Sequence, residues 1–119
     1  MRSGLLLLLL VFTALACQED DKIQRSCNVE NPVEELEWLR EELDSYQTET
    51  TYSDTFVYKA TYNGRTVFYI SICCPACDVM APEIRTCDGE SLGRLGVEID
   101  SEHLENPTVV WRTNNGVCP

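Results

Sequence analysis

Apolar and polar positions change rhythm several times along the chain. Leu5–Phe12 is an unbroken apolar run, with Arg2 ahead of it and Ala14 and Ala16 behind it in the small-x-small spacing that signal peptidases accept. The run is too short for a transmembrane helix, which needs ~20 residues. Residues 1–16 therefore read as a signal peptide. Residues 17–30 are polar, with no apolar period, and read as a flexible acidic tether that begins at Cys17. Residues 31–119 make one small domain.

Within that domain the first rhythm is helical. Asn31 suits an N-cap, Pro32 the first helical position, and Glu34 and Glu35 the positive end of the helix dipole. Val33, Leu36, Leu39, Leu43 and Tyr46 recur at three- and four-residue steps and form one apolar face, with Trp38 at its edge. This predicts a helix from Pro32 to about Tyr46. A polar loop, QTETTYSD, follows.

The rhythm then switches to strands. FVYKATY, Asn63-Gly64 and RTVFYISI form a hairpin with a two-residue type I′ turn. Pairing across the turn sets Tyr62 opposite Arg65, Ala60 opposite Val67 and Tyr58 opposite Tyr69. Phe56, Tyr58, Ala60, Val67 and Tyr69 then share one face, and Phe68, Ile70 and Ile72 the other. Both faces are partly apolar, so the pair belongs inside a sheet, with one face under the helix. Asp88-Gly89 reads as a turn between short strands, TVVWR as a last strand, and TNNGVCP as a turning tail. RLGVEIDSEHLEN fits no single period. The expected fold is α+β: an N-terminal helix packed on a small antiparallel sheet built on a type I′ hairpin, stapled by disulfides.

Composition adds destination and redox state. The leader holds one Arg and no acid, so the remaining chain has 8 basic and 20 acidic side chains, a formal charge of −12. Such a surface repels nucleic acid and anionic lipid headgroups alike. Seven cysteines stand at 17, 27, 73, 74, 77, 87 and 118. Cys17 directly follows the expected cleavage point, where bacterial lipoproteins accept lipid, and Ala16 supplies the small residue before it. Ala14 and Leu15 reverse the usual order of such a box. The other six, Cys27, Cys73, Cys74, Cys77, Cys87 and Cys118, can form three disulfides in an oxidising compartment. Fifteen pairings are open. An even set of cysteines and a small core imply a monomer.

Cys74-Pro75-Ala76-Cys77 offers the one catalytic alternative. CPACDVMAP after a strand resembles the active-site segment of thioredoxin-like proteins, and Asn106-Pro107-Thr108 resembles their cis-proline segment. That likeness implies a thiol–disulfide oxidoreductase using Cys74 and Cys77. Tight hairpin pairing, only 29 residues between Cys77 and Pro107, and three surplus cysteines speak for a structural role instead. Cys74, Cys77, Cys87 and Cys118 could alternatively bind zinc. His103 has no second imidazole near it, and Glu34-Glu35 and Glu41-Glu42 are helix neighbours pointing about 100° apart. The tyrosines, Trp38 and Trp111 are expected mostly in the core.

Gln18-Glu19-Asp20-Asp21 resembles the acidic tetrapeptides that route Bacteroidota lipoproteins to the outer face of the outer membrane. NPVEELEWLREEL, YNGRTVFYISICC, CDGESLG and VVWRTNNGVC, in that order, resemble a family of small secreted or lipid-anchored Bacteroidota proteins with a domain of unknown function. Asn31, Pro32, Leu36, Trp38, Leu39, Asn63, Gly64, Thr66, Val67 and Phe68 carry the likeness. Those motifs are structural, so the likeness carries over no activity and no catalytic residues. The leading expectation is an exported, lipid-anchored outer-membrane protein without a cofactor, meeting the membrane through its N-terminal lipid and serving as a non-enzymatic interaction module for a protein or small-molecule partner. An inhibitor-like or zinc-binding module is a further alternative.

Overall fold

The computed structural model describes residues 27, 29–46 and 51–119. The expectations for the signal peptide, for Cys17 and for most of the tether lie outside these residues. The described chain forms α1 (Pro32–Glu35), α2 (Glu37–Ser45), β1 (Asp54–Tyr62), β2 (Arg65–Cys73), β3 (Glu83–Arg85), β4 (Ser91–Arg94), a 3-10 turn (Ser101–His103) and β5 (Glu105–Arg112). The strands make one antiparallel sheet in the order β4-β3-β2-β1-β5. The fold is α+β, as expected.

The β1–β2 hairpin occupies the middle of the sheet. Asn63 and Gly64 both take positive φ, 50° and 74°, the geometry a type I′ turn requires. Tyr62 stands opposite Arg65, Ala60 opposite Val67 and Tyr58 opposite Tyr69. A one-residue slip would turn every side chain to the wrong face, so the Asn-Gly position alone determines what each face buries. Tyr58 and Tyr69 stack with ring centroids 4.9 Å apart.

Each face has its own core. Leu39, Leu43 and Val57 are buried on one side, with Val33, Leu36, Trp38, Ile70 and Trp111 packed around them. This is the side under the helical segment. The opposite side buries Ala60, Val67, Tyr69, Ile84, Ile99 and Leu104. RLGVEIDSEHLEN thus acquires its role from tertiary packing. It continues β4, turns at 96–98, forms the 3-10 turn and delivers Ile99 and Leu104 as plugs for the second face.

The helix departs from expectation in one respect. It is broken at Leu36, which is extended at φ −93° and ψ 106°. The break leaves no backbone group of Leu36 unpaired. Its N–H donates to the Pro32 carbonyl at 2.9 Å, and its own carbonyl accepts from Leu39 and Arg40 at 3.1 Å. The Asn31 side chain makes no cap bond. Instead its backbone N–H donates to Glu35 Oε2 at 2.7 Å.

β5 starts at Glu105, earlier than TVVWR implies. It lies on the sheet edge, and its register against β1 shifts at two places. Asn106 at φ 50° and Pro107 roughen that edge, which hinders further strand pairing.

Three disulfides join Cys27 to Cys87, Cys73 to Cys118 and Cys74 to Cys77, with Cα–Cα separations of 5.6, 6.4 and 5.3 Å. These fall within the usual range for the bond. The first ties the chain ahead of α1 to the β3–β4 turn, and the second ties the tail to the end of β2.

Candidate functional site

β2 ends at Cys73, opposite Asp54 at the start of β1. The chain then leaves the sheet as an irregular segment, residues 74–82, before β3 begins at Glu83. Cys74 and Cys77 close a small ring in this segment, with the Cys77 N–H donating to the Cys74 carbonyl at 3.2 Å. Residues 75–80 are all exposed, Met80 to 72%.

The segment forms one wall of a cleft of about 490 Å³. Ile70 and Ile72 of β2 supply the floor, Trp38, Glu42 and Tyr46 the helical wall, and Cys74, Cys77 and Met80 the rim. Trp38 is fixed by a long-range bond: its indole Nε1–H donates to the Cys87 carbonyl at 2.8 Å. Its ring lies so close to Gly89 that a Cβ there would sit 2.8 Å from Trp38 Cγ. Gly89 also has φ +86°. The Asp88-Gly89 turn therefore serves the cleft as well as the β3–β4 connection.

The cleft's two cations are already engaged. Arg85 pairs with Glu83 at 2.7 Å and Glu42 at 3.4 Å, and its guanidinium carbon lies 5.7 Å from the Trp38 ring centroid. Arg94 pairs with Glu83 at 3.3 Å and donates to the Ala81 carbonyl at 2.8 Å. That last bond holds the end of the 74–82 segment. Burial, followed by the Glu42 carboxylate, raises the Tyr46 hydroxyl pKa above its ordinary value.

A reactive CxxC thiolate is ordinarily stabilised by a helix N-terminus or a neighbouring cation. Residues 74–82 are all described and none is helical. The residue after Cys77 is Asp78, an anion that opposes thiolate formation. Pro107 does not approach the pair. Thr108 pairs at Lys59, five residues along β1 from Asp54, which is roughly 17 Å of strand. No cis peptide bond occurs among the described residues. The four cysteines of the zinc alternative, Cys74, Cys77, Cys87 and Cys118, are divided among three different bridges.

A second polar centre escaped sequence reasoning. Asp54 is fully buried. Its Oδ1 accepts from the Thr113 hydroxyl at 2.8 Å and the Asn115 N–H at 2.7 Å, and its Oδ2 accepts from the N–H groups of Val117 and Cys118, both at 2.9 Å. The Cys118 and Asn115 N–H groups, with Thr113 and Val117, hold the Asp54 carboxyl far below the usual carboxylate range. With every oxygen engaged by the tail, Asp54 is a structural anchor. It seats Thr113–Cys118 for the bridge to Cys73. In the sequence it reads only as the last polar residue before a strand.

The remaining candidates separate clearly. His103 is exposed on the 3-10 turn. Glu41 points to solvent while Glu42 turns to Arg85, so the two do not form an acid pair. No group of His, Cys, Asp and Glu suited to a metal ion occurs among the described residues, and no helix there is long and apolar enough to cross a membrane. No family model, curated protein or solved structure matches the chain.

Proposed function

We propose that the protein is exported, carries lipid on Cys17, and works at the bacterial outer membrane as a non-enzymatic interaction module, with a protein or small molecule as its partner. One observation supports this above the others. All six cysteines from Cys27 onward are used in internal bridges, which leaves Cys17 as the odd one, directly behind a signal-like leader. Acylation gives that sulfur a use. Gln18–Asp21 then acts as the address for the outer face, in keeping with the likeness to Bacteroidota lipoproteins.

The non-enzymatic part rests on the surroundings of Cys74 and Cys77. Neither a helix terminus nor an unengaged cation stands ready to stabilise a thiolate there, and Asp78 works against one. What the domain offers a partner is the cleft between α2, β2 and the 74–82 segment, with an apolar floor and an exposed rim.

Detergent phase partitioning of the wild type against Cys17→Ala, expressed in a Bacteroidota host, tests the anchor. The wild type is expected in the detergent phase and the variant in the aqueous phase. Both proteins in the aqueous phase would end the lipoprotein reading. Insulin reduction tests the second part: turnover that disappears in Cys74→Ser would make the protein an oxidoreductase.

A further inference from the structure

We propose that the Cys74–Cys77 bridge is a thiol-exchange site, a place where a low-molecular-weight thiol attaches covalently to Cys77 at the mouth of the cleft while the rest of the domain stays folded. The three bridges differ in exactly the properties that govern exchange. Cys27 is 4% exposed, and Cys73, Cys87 and Cys118 are half-buried, whereas Cys77 is exposed. Thiol–disulfide exchange requires an attacking thiolate to reach a sulfur, so access selects the reacting bond, and exposed bridges are the labile ones.

The bridges differ also in what they hold. Cys27–Cys87 and Cys73–Cys118 join residues 60 and 45 positions apart, across separate elements. Cys74–Cys77 spans three positions inside one irregular segment. That segment remains attached at its far end by Arg94 Nη1 on the Ala81 carbonyl and by the Leu95 N–H on the Pro82 carbonyl at 2.9 Å. Opening the small ring leaves both attachments and both long bridges in place.

The step balances as an exchange with no net oxidant. A thiolate RS⁻ attacks Cys77 Sγ, an RS–Sγ bond forms, the Cys74–Cys77 bond breaks, and Cys74 leaves as the thiolate that then takes a proton from water. The sulfur attacked is Cys77 because it is the exposed partner; Cys74 is half-buried. Charge adds selectivity. Glu42, Asp78 and Glu83 outnumber Arg85 and Arg94 around the cleft, and the domain as a whole is strongly acidic. A cationic thiol is therefore favoured over an anionic one, and salt weakens the preference.

The test uses the oxidised mature protein with cysteamine, 2-mercaptoethanol and thioglycolate, three thiols of positive, zero and negative charge, compared at equal thiolate concentration. Reactions are trapped with iodoacetamide and mapped by mass spectrometry, with near-ultraviolet circular dichroism reporting the fold. The expected first product carries the added thiol on Cys77 and carbamidomethyl on Cys74. It should form at least tenfold faster than any product at the other four bridged cysteines, with near-ultraviolet signal retained. Cysteamine should react fastest and thioglycolate slowest at low salt, with the spread narrowing as salt rises. A first adduct on Cys27, Cys73, Cys74, Cys87 or Cys118, or an adduct seen only once the near-ultraviolet signal is lost, would overturn the assignment. This outcome is independent of the anchor, because the adduct is located by mass on Cys74, Cys77 and the other bridged cysteines whether or not Cys17 carries lipid.

Discussion

Deleting the bridges one at a time should produce two large losses of stability and one small one. In the chain-entropy account, a crosslink restricts the unfolded chain by an amount that grows with the logarithm of the loop it closes. The Cys27–Cys87 separation of 60 gives about 4.3 kcal/mol. Cys73–Cys118, at 45, gives about 4.0 kcal/mol. Cys74–Cys77, at three, gives only about 1.6 kcal/mol. A domain of this size has roughly 5–13 kcal/mol in all, so either long bridge is a large share of it. One kcal/mol moves the midpoint of such a domain by about 4–8 °C. The Cys27→Ser/Cys87→Ser pair should therefore melt roughly 17–34 °C below the wild type, and the Cys74→Ser/Cys77→Ser pair roughly 6–13 °C below. Far-ultraviolet circular dichroism melts under non-reducing conditions measure this directly. If the Cys74→Ser/Cys77→Ser protein falls as far as the Cys27→Ser/Cys87→Ser protein, loop length does not govern these bridges and the ranking is wrong.

Two further perturbations probe the anchors. Asp54 has a folded-state pKa below its unfolded value of 3.8, so the stability it adds is present above that pH and is lost as pH falls. Asp54→Asn should melt lower than the wild type at pH 7, and the gap should begin to narrow below about pH 4 and go on narrowing as the pH falls further; a gap of constant size would refute the role given to the carboxylate. Gly89→Ala meets both a contact of 2.8 Å with Trp38 and a φ of +86°. It should cost at least about 1–2 kcal/mol in urea unfolding and shift Trp38 fluorescence, and a neutral result would remove Gly89 from the support of the cleft.

Local signals in the sequence were enough for the hairpin and its register. Asn63-Gly64 specifies a turn of known hand, and alternation then assigns every side chain from Tyr58 to Tyr69 to a face. The helical face of Leu36, Leu39 and Leu43 was likewise legible, since period alone defines it. The break at Leu36 was not, because one extended residue that keeps its hydrogen bonds leaves no mark on the apolar spacing. Ile99 and Leu104 sit in a stretch without period, and only the uncovered second face of the sheet explains them. The partners of Asp54 lie 59 to 64 residues away, beyond any local rule. Disulfide pairing is combinatorial, so six cysteines announced bridges without announcing which. The cleft arises where these long-range features meet, at Trp38, the Cys87 carbonyl and the segment after Cys73. Its residue types were visible in the sequence, but their convergence was not.

The bridge pattern also has a mechanical meaning. Tension between the chain ahead of Cys27 and the tail beyond Cys118 passes from Cys27 straight to Cys87 through sulfur, and from Cys118 straight to Cys73. The shortest load-bearing path inside the domain is then only the backbone from Cys73 to Cys87, fourteen residue steps and roughly 50 Å when taut. Without the bridges, the same pull could draw out about 300 Å of chain. The hairpin and α2 lie off that path and cannot be unravelled by it. Cys74–Cys77 lies on it and shortens it by three further steps, so the most exposed of the three bridges also limits how far the domain can stretch.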